Sequence, residues 1–322
     1  MTGPIASVAS PVIEFVTGAD AAMFGQLFLL LGSLRRYSPE VRLRVCDLGL
    51  TDRQRDYLER TRRLLPRAAG RHLPRHAWYD KAALANFTEG LNADVVVWLD
   101  ADLIVLNDIE PLVRDVCAEM TAANQIVAAA GNELTLGALD WFDQAPGFKQ
   151  AISVFDLNVP YLNSGFVVCR SREFLARWAA LCEALPYEFL FEQNAFNLAA
   201  CEQREHVRIL DSWVWNLCGT EFRSVEVVTA GADQLALIGR SGRVNILHAT
   251  STERAKDLIH YDYHFKLNDT LFRPQFRIVN CIEVLATYQC SLVVECITAE
   301  APALLASGLG SPGETVLGTL RS

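Results

Sequence analysis

Residues Val95 to Leu112 read VVVWLDADLIVLNDIEPL. The run from Val95 to Leu99 is apolar without a break, the pattern of a strand buried on both faces of a sheet. Polarity begins abruptly at Asp100-Ala101-Asp102, and the segment from Ile109 to Met120 returns to helical spacing. In open α/β sheets ligands bind in the crevice beyond the carboxyl ends of the strands, which is where this acidic pair falls. In an extended backbone alternate side chains share a face, so Asp100 and Asp102 are expected to converge. Two converging carboxylates repel unless a cation lies between them, and a hard divalent ion, Mg²⁺ or Mn²⁺, suits such oxygen ligands. Taken alone, an Asp-x-Asp pair serves equally well as helix-capping or solvated loop chemistry.

Outward from this segment the chain alternates between two periods. Val12 to Val16 predicts a strand, Ala21 to Arg36 a helix, and Val41 to Cys46 a strand. Thr51 followed by Gln54 has the form of a capping box, and Tyr79 to Leu91 predicts a further helix. Downstream, QIVAAA and Gly165 to Cys169 read as strands, Ser171 caps a helix to about Leu185, and Glu192 to Ala200 reads as helical. Short strands are expected at Val207 to Leu210, Val225 to Val228 and Val244 to Leu247. Trp213 and Trp215 alternate in a strand-like stretch, one expected in the core and the other free to face a sugar. This alternation predicts an α/β fold with a Rossmann-like, mostly parallel central sheet flanked by helices, in one main domain over residues 1–275. Residues 276–322, with a tail rich in Gly, Ala, Ser and Pro, are expected to form a peripheral or partly disordered extension.

Composition narrows the function. With 322 residues, 51% of them hydrophobic, the chain can bury a sizeable core. A formal net charge of −9 disfavours a protein that coats nucleic acid, which needs a concentrated basic surface. The nine cysteines are scattered without a Cys-x-x-Cys pair, so they read as reduced, buried small hydrophobes and not as a zinc site. The beginning MTGPIASVAS lacks a charged leader with an apolar core, and Ala21 to Leu34 is too short to cross a bilayer before Arg35-Arg36. A cytoplasmic location without a transmembrane segment is expected, with peripheral membrane contact left open.

Three further segments carry polar residues at the ends of predicted elements. YLNSGFVVCR (Tyr161 to Arg170) places Asn163, Ser164 and Gly165 just before a strand. FEQNAFN (Phe191 to Asn197) puts Glu192 and Gln193 at a helix start, and VNILHATSTERAK (Val244 to Lys256) sends a short strand into His248. Together with Thr17-Gly18-Ala19-Asp20 after the first strand, the series resembles the retaining glycosyltransferases of family 8 over about Val12 to Lys256. That family has the GT-A fold and uses nucleotide sugars, commonly UDP-sugars.

The resemblance implies a role for each matching position. Asp100, Asp102 and His248 would bind the divalent ion, with Asp102 the more direct ligand and Asp100 also near the ribose. Thr17 and Asp20 match the nucleotide-base and ribose pocket, and Lys81 matches a basic residue in contact with the donor. Asn163 and the pair Glu192-Gln193 match the residues facing the donor sugar. The family shows a glycine and then Lys-Pro-Trp after the late histidine where this chain reads ATSTERAKD, so the diphosphate cation is Arg254 by spacing or Lys256 by type. The family's Asp-Gln is Glu192-Gln193 here. The implied activity is metal-dependent transfer of a hexose-like sugar, with retention, to an unidentified saccharide, glycolipid or protein acceptor. Glu192 would act as a short-lived nucleophile or as an electrostatic stabiliser. Removing a metal carboxylate is expected to damage catalysis far more than folding.

Each residue also has a plainer role. His248 can be a hydrogen-bonded structural residue, Glu192 a first-turn carboxylate favoured by the helix dipole, Lys81 a solvated helix lysine, and Asn163 a turn residue. Two rival functions remain: a non-catalytic sugar-nucleotide-binding protein of the same fold, and an Asp-x-Asp phosphohydrolase. The second normally wants a hydroxyl residue soon after the second aspartate, and Leu103-Ile104-Val105 supplies none.

Overall fold

The computed structural model describes residues 10–66, 77–229, 234–250, 258–262, 265–267, 270–272 and 274–312. Its centre is a mixed sheet. β1 (Ile13–Ala19) leads through α1 (Leu27–Tyr37) to β2 (Leu43–Asp47), and α2 (Asp52–Arg60) leads to the short β3 (Leu64–Leu65). α3 (Ala77–Ala82) and α4 (Leu84–Thr88) precede β4 (Val95–Leu99), which is followed by β5 (Leu103–Val105) and α5 (Ile109–Ala122). β6 (Val127–Thr135), α6 (Pro146–Ile152), β7 (Pro160–Cys169), α7 (Arg172–Ala184), α8 (Phe191–Glu202) and β8 (Val207–Asp211) complete the layer. The seven strands lie in the order β3-β2-β1-β4-β7-β6-β8, with β7 antiparallel to both neighbours and every other pairing parallel.

The apolar run of β4 feeds both faces of this sheet. Val95, Val97 and Leu99 join the core formed with α1, α2 and α5, while Val96 and Trp98 join the one formed with α6, α7 and α8. Period-two alternation hidden within an all-apolar strand thus places β4 in the middle layer. α2 is opened by the expected capping box, in which Thr51 Oγ1 accepts from the Gln54 amide and the Gln54 side chain accepts from the Thr51 amide. Ser171 caps α7 by accepting from the Phe174 amide.

Several expectations differ in detail. β1 runs on through Thr17 and Gly18 to Ala19, and α1 starts at Leu27 because Ala21 to Gln26 is spent on turns. The helix expected over Tyr79 to Leu91 is two short helices, α3 and α4. The two tryptophans lie on α9 (Ser212–Trp215), begun by Asp211, whose side chain accepts from the Trp213 amide. Both are buried; Trp215 stacks on Phe166, and the Arg240 guanidinium lies 4.6 Å from the Trp213 ring centre.

A small antiparallel sheet of β9 (Glu226–Thr229), β10 (Leu235–Gly239) and β11 (Gly242–Arg243) precedes β12 (Ile246–His248), which pairs antiparallel with β5. β13 (Leu258–Asp262), the hairpin of β14 (Phe265–Leu267) and β15 (Thr270–Phe272), and β16 (Gln275–Val279) then lead to α10 (Glu283–Ala306).

The peripheral extension expected from residue 276 is not what β16 and α10 form. Phe276, Ile278, Leu285, Leu292, Val293 and Ile297 are part of the core shared with α1. Close contact is possible because α1 carries Gly32, where a Cβ would stand 2.3 Å from the Leu292 carbonyl oxygen. Gln289, wholly buried, ties the helix to β16 by accepting from the Val279 amide and donating to the Val279 carbonyl. By length and composition the 24 residues of α10 would also suffice to cross a membrane, a property that core helices share.

Candidate active site

At the end of β4 the chain turns. The Leu103 amide donates to the Asp100 carbonyl at 3.1 Å, so Asp100-Ala101-Asp102 forms a turn and not the extended run expected from the sequence. The carboxylates still converge, because both ends of the turn are pinned. The Asp100 amide donates to the Gly165 carbonyl of β7, and the Asp102 carbonyl accepts from the Ala249 amide just past β12.

His248 reaches this turn through strand pairing. Opposite Leu103 in the β5–β12 register, it sets Nε2 at 3.1 Å from Asp102 Oδ1 and 3.9 Å from Asp100 Oδ2. Gly165 leaves room for the ring: a Cβ there would stand 2.6 Å from His248 Cε1. The other ring nitrogen, Nδ1, lies 2.9 Å from Asn216 Oδ1. Asn216 is held beside it because the next residue, Leu217, bridges to Leu247 and accepts from the His248 amide.

Asp102 is 6% exposed and has a third partner, Arg277 of β16, at 3.4 Å from Oδ2. Burial opposes ionisation, but the charge and hydrogen bond of His248, with Arg277, hold its carboxyl well below the usual carboxylate range.

Asp100 belongs to a different cluster. Lys81 Nζ lies 2.8 Å from its Oδ1 and 3.1 Å from its Oδ2, and Trp98 Nε1 donates to Oδ1 at 2.6 Å. The same ammonium donates to Ser164 Oγ at 3.0 Å, lies 3.7 Å from Glu192 Oε1, and sits 5.6 Å from the Trp98 ring centre. Burial works against the charge of Lys81, yet Asp100 and Glu192 raise its pKa above the ordinary lysine value.

Glu192 shows the opposite balance. Burial pushes its carboxyl up to about 7 against the pull of Lys81. Its Oε1 is buried without a hydrogen-bond partner, while Oε2 accepts from Ser164 Oγ at 3.4 Å. The turn that presents it is strained, since Leu190, just before α8, has φ +52° and is not glycine.

The residues expected at the site are thus distributed unevenly. Asp100, Asp102 and His248 form one acidic-imidazole group whose ligand atoms lie within 4.8 Å of one another. Gln193 Oε1 accepts from the Ser164 amide, and Asn163 Oδ1 from the Gly165 amide, so both brace the β7 side of the site. Lys81 is buried in its ion pairs, not laid open for donor contact. Thr17 is wholly buried with an unpartnered hydroxyl, and Asp20 spends Oδ1 on the amides of Ala22 and Met23. Arg254 and Lys256 lie outside the described residues. Asn216 and Arg277 were missed: one follows a tryptophan pair read as strand, the other lies in the segment read as peripheral.

The donor set suits a divalent cation. Two carboxylates and an imidazole converge, and both ring nitrogens of His248 face acceptor oxygens, an arrangement that a cation at Nε2 satisfies.

No family model and no curated protein matches the chain. Solved structures do. The apo form of the glycosyltransferase GlyE of Streptococcus pneumoniae TIGR4 is similar with a TM-score of 0.50 at 13% identity, over 94% of this chain and 65% of that one. The galactosyltransferase LgtC, solved with donor and acceptor sugar analogs, gives 0.48 at 16% identity over 73% of this chain and 86% of that one. Mouse xyloside xylosyltransferase 1 gives 0.47 at 13% identity over 76% and 99%. The chain spans 41% of the bifunctional glycosyltransferase WbbM and about two thirds of GlyE. At these identities the likeness concerns architecture, and with the mostly parallel seven-stranded sheet flanked by helices it gives this chain the GT-A fold of glycosyltransferases.

Proposed function

We propose that the chain is a metal-dependent, retaining glycosyltransferase of the family 8 type. It would move a hexose-like unit from a nucleotide sugar, with a UDP-sugar as the expected donor, to a saccharide, glycolipid or protein acceptor. The observation that carries this reading is the meeting of Asp100, Asp102 and His248 beyond the carboxyl end of β4.

Asp102 and His248 would hold Mn²⁺ or Mg²⁺, with Asp100 completing the protein ligands. When bound, the ion supplies counter-charge to the diphosphate leaving group. The chain's own residues do the rest. Lys81 holds Asp100 in place through the 2.8 Å pair, and Trp98 fixes the same carboxylate from the sheet side. Asn216 accepts from Nδ1–H of His248, which leaves the Nε2 lone pair for the ion. Ser164 connects Lys81 to Glu192, whose carboxylate stands ready to stabilise positive charge growing on the sugar ring.

The test is a thermal-shift and turnover panel of UDP and UDP-sugars with and without Mn²⁺, on wild type and Asp102→Asn. Wild type is expected to be stabilised by UDP only with the metal, and the variant to lose turnover by on the order of 10²–10³-fold. Metal-independent turnover that survives in Asp102→Asn would remove the metal assignment.

A further inference from the structure

Among the described residues two aromatic side chains stand out for their exposure, Tyr187 at 59% and Phe189 at 45%. A ring left in water forgoes the stabilisation it would gain in a core, so two of them side by side mark a surface kept for a ligand. Both lie in the segment that leads into α8, just before Glu192.

That segment is held firmly. Glu188, between the two rings, turns inward: its Oε1 accepts from the Gly147 amide at 2.7 Å and its Oε2 from the Phe148 amide at 3.1 Å, both on α6. Gly147 admits the close approach, since a Cβ there would stand 2.4 Å from Pro186 Cγ. The Phe189 carbonyl accepts from the Asn194 side chain at 2.7 Å, and the Phe189 ring packs edge-on against Trp141 with centres 5.5 Å apart. Tyr187 rests against Phe191 at 4.7 Å. With Glu188 spent on two amides, the segment turns rings and a phenol hydroxyl outward but no charge.

The exposed rings are continuous with the candidate site. Trp141 lies 5.2 Å from Tyr161 of β7, whose hydroxyl donates to Asn194 Oδ1 at 2.8 Å and borders the Gln193 side chain. Contacts thus run from Phe189 through Trp141 and Tyr161 to Gln193, the neighbour of Glu192. An uncharged, rigid aromatic surface suits a pyranose ring, whose axial C–H bonds turn partial positive charge toward a π face while its hydroxyls stay in water. A peptide is gripped by a strand edge or through charges, and residues 186–190 form no strand.

We infer that Tyr187 and Phe189 form an acceptor subsite that stacks the pyranose ring of a saccharide beside Glu192. This rests on the transferase reading above and deepens it by narrowing the acceptor to a saccharide and naming the residues that hold it.

Saturation-transfer NMR on the full chain with MnCl₂ and UDP tests the subsite. The probes are methyl β-D-galactopyranoside, methyl β-D-glucopyranoside, octyl β-D-glucopyranoside below its micelle concentration, and a peptide containing serine and threonine. Irradiation of the protein's aromatic protons is expected to reach the ring C–H protons on one face of at least one methyl glycoside, and not the peptide. In Phe189→Leu or Tyr187→Leu, which keep an apolar side chain without the ring, that glycoside should bind roughly 2- to 12-fold more weakly, and in Phe189→Trp about as in wild type. Binding of UDP with Mn²⁺ by the leucine variants checks that they are folded, and the one-sided pattern in wild type needs no variant. Equal glycoside binding by both leucine variants, transfer confined to the octyl chain, binding of the peptide in place of the glycosides, or no glycoside binding while UDP and Mn²⁺ bind would each overturn the subsite and leave the transferase reading standing. Wild type that binds neither UDP nor Mn²⁺ would overturn that reading itself, and the subsite with it.

Discussion

Asp100 and Asp102 are two residues apart, yet they belong to clusters of different construction. The Asp100 cluster draws on residues 81 to 193: Lys81, Trp98, Ser164, Glu192 and Gln193 interlock around one ammonium that serves two carboxylates. The Asp102 cluster draws on residues 216 to 277, and Asn216, His248 and Arg277 reach it through the pairing of β12 with β5 and through β16. In the first, one ammonium is locked among several acceptors. In the second, an imidazole and a guanidinium share one carboxylate. The contrast separates a lysine-centred electrostatic wall from a carboxylate that the late part of the chain surrounds.

The largest expected effect tests the wall. Lys81→Met would leave Asp100 and Glu192 buried without their cation, and loss of one partner from a buried pair costs about 3–5 kcal/mol. Urea unfolding measures it; a loss below about 1 kcal/mol would mean that Lys81 is not the charge that holds this side together.

The next effect is one of pH. The Glu192 pKa is about 7 in the folded chain against 4.5 for an ordinary glutamate. The folded state therefore binds this proton more tightly, so its contribution is fully present below pH ~4.5 and is lost as pH rises through 7. The whole swing is about 3 kcal/mol by the linkage relation. Glu192→Gln should flatten that part of the stability curve, and unfolding free energies at pH 5 and pH 8 read it directly. Identical pH slopes in wild type and variant would return Glu192 to an exposed or fully compensated carboxylate.

The smallest effect lies on the other side of the turn. Asn216→Ala removes the acceptor at His248 Nδ1, and loss of such a supporting partner typically costs about 10–100-fold in metal affinity. Mn²⁺ titration checks it, and an unaltered affinity would mean that strand pairing alone orients the ring.

Much of the Asp100 side was legible in the sequence, because a five-residue apolar strand ending in Asp-x-Asp announces its own place in a sheet. The capping box at Thr51 and the cap at Ser171 were equally local, and both stand. What failed was long-range or lacked a period. The Asp-x-Asp turn depends on β7 and on the residue after β12, neither of which local spacing reveals. α10 was missed because apolar residues surround it with no polar stripe to mark an outer face; Val284 and Leu305 are exposed while Leu285 and Leu304 are buried. Arg277 was lost with it. Asn216 follows two tryptophans whose alternation matched a strand, but Asp211 begins a helical turn there.

The most direct test of the account is anomalous diffraction at the manganese edge from crystals soaked with MnCl₂ and UDP. The account predicts one strong peak within bonding distance of an Asp102 carboxylate oxygen and of His248 Nε2. A peak elsewhere, or none, would contradict it.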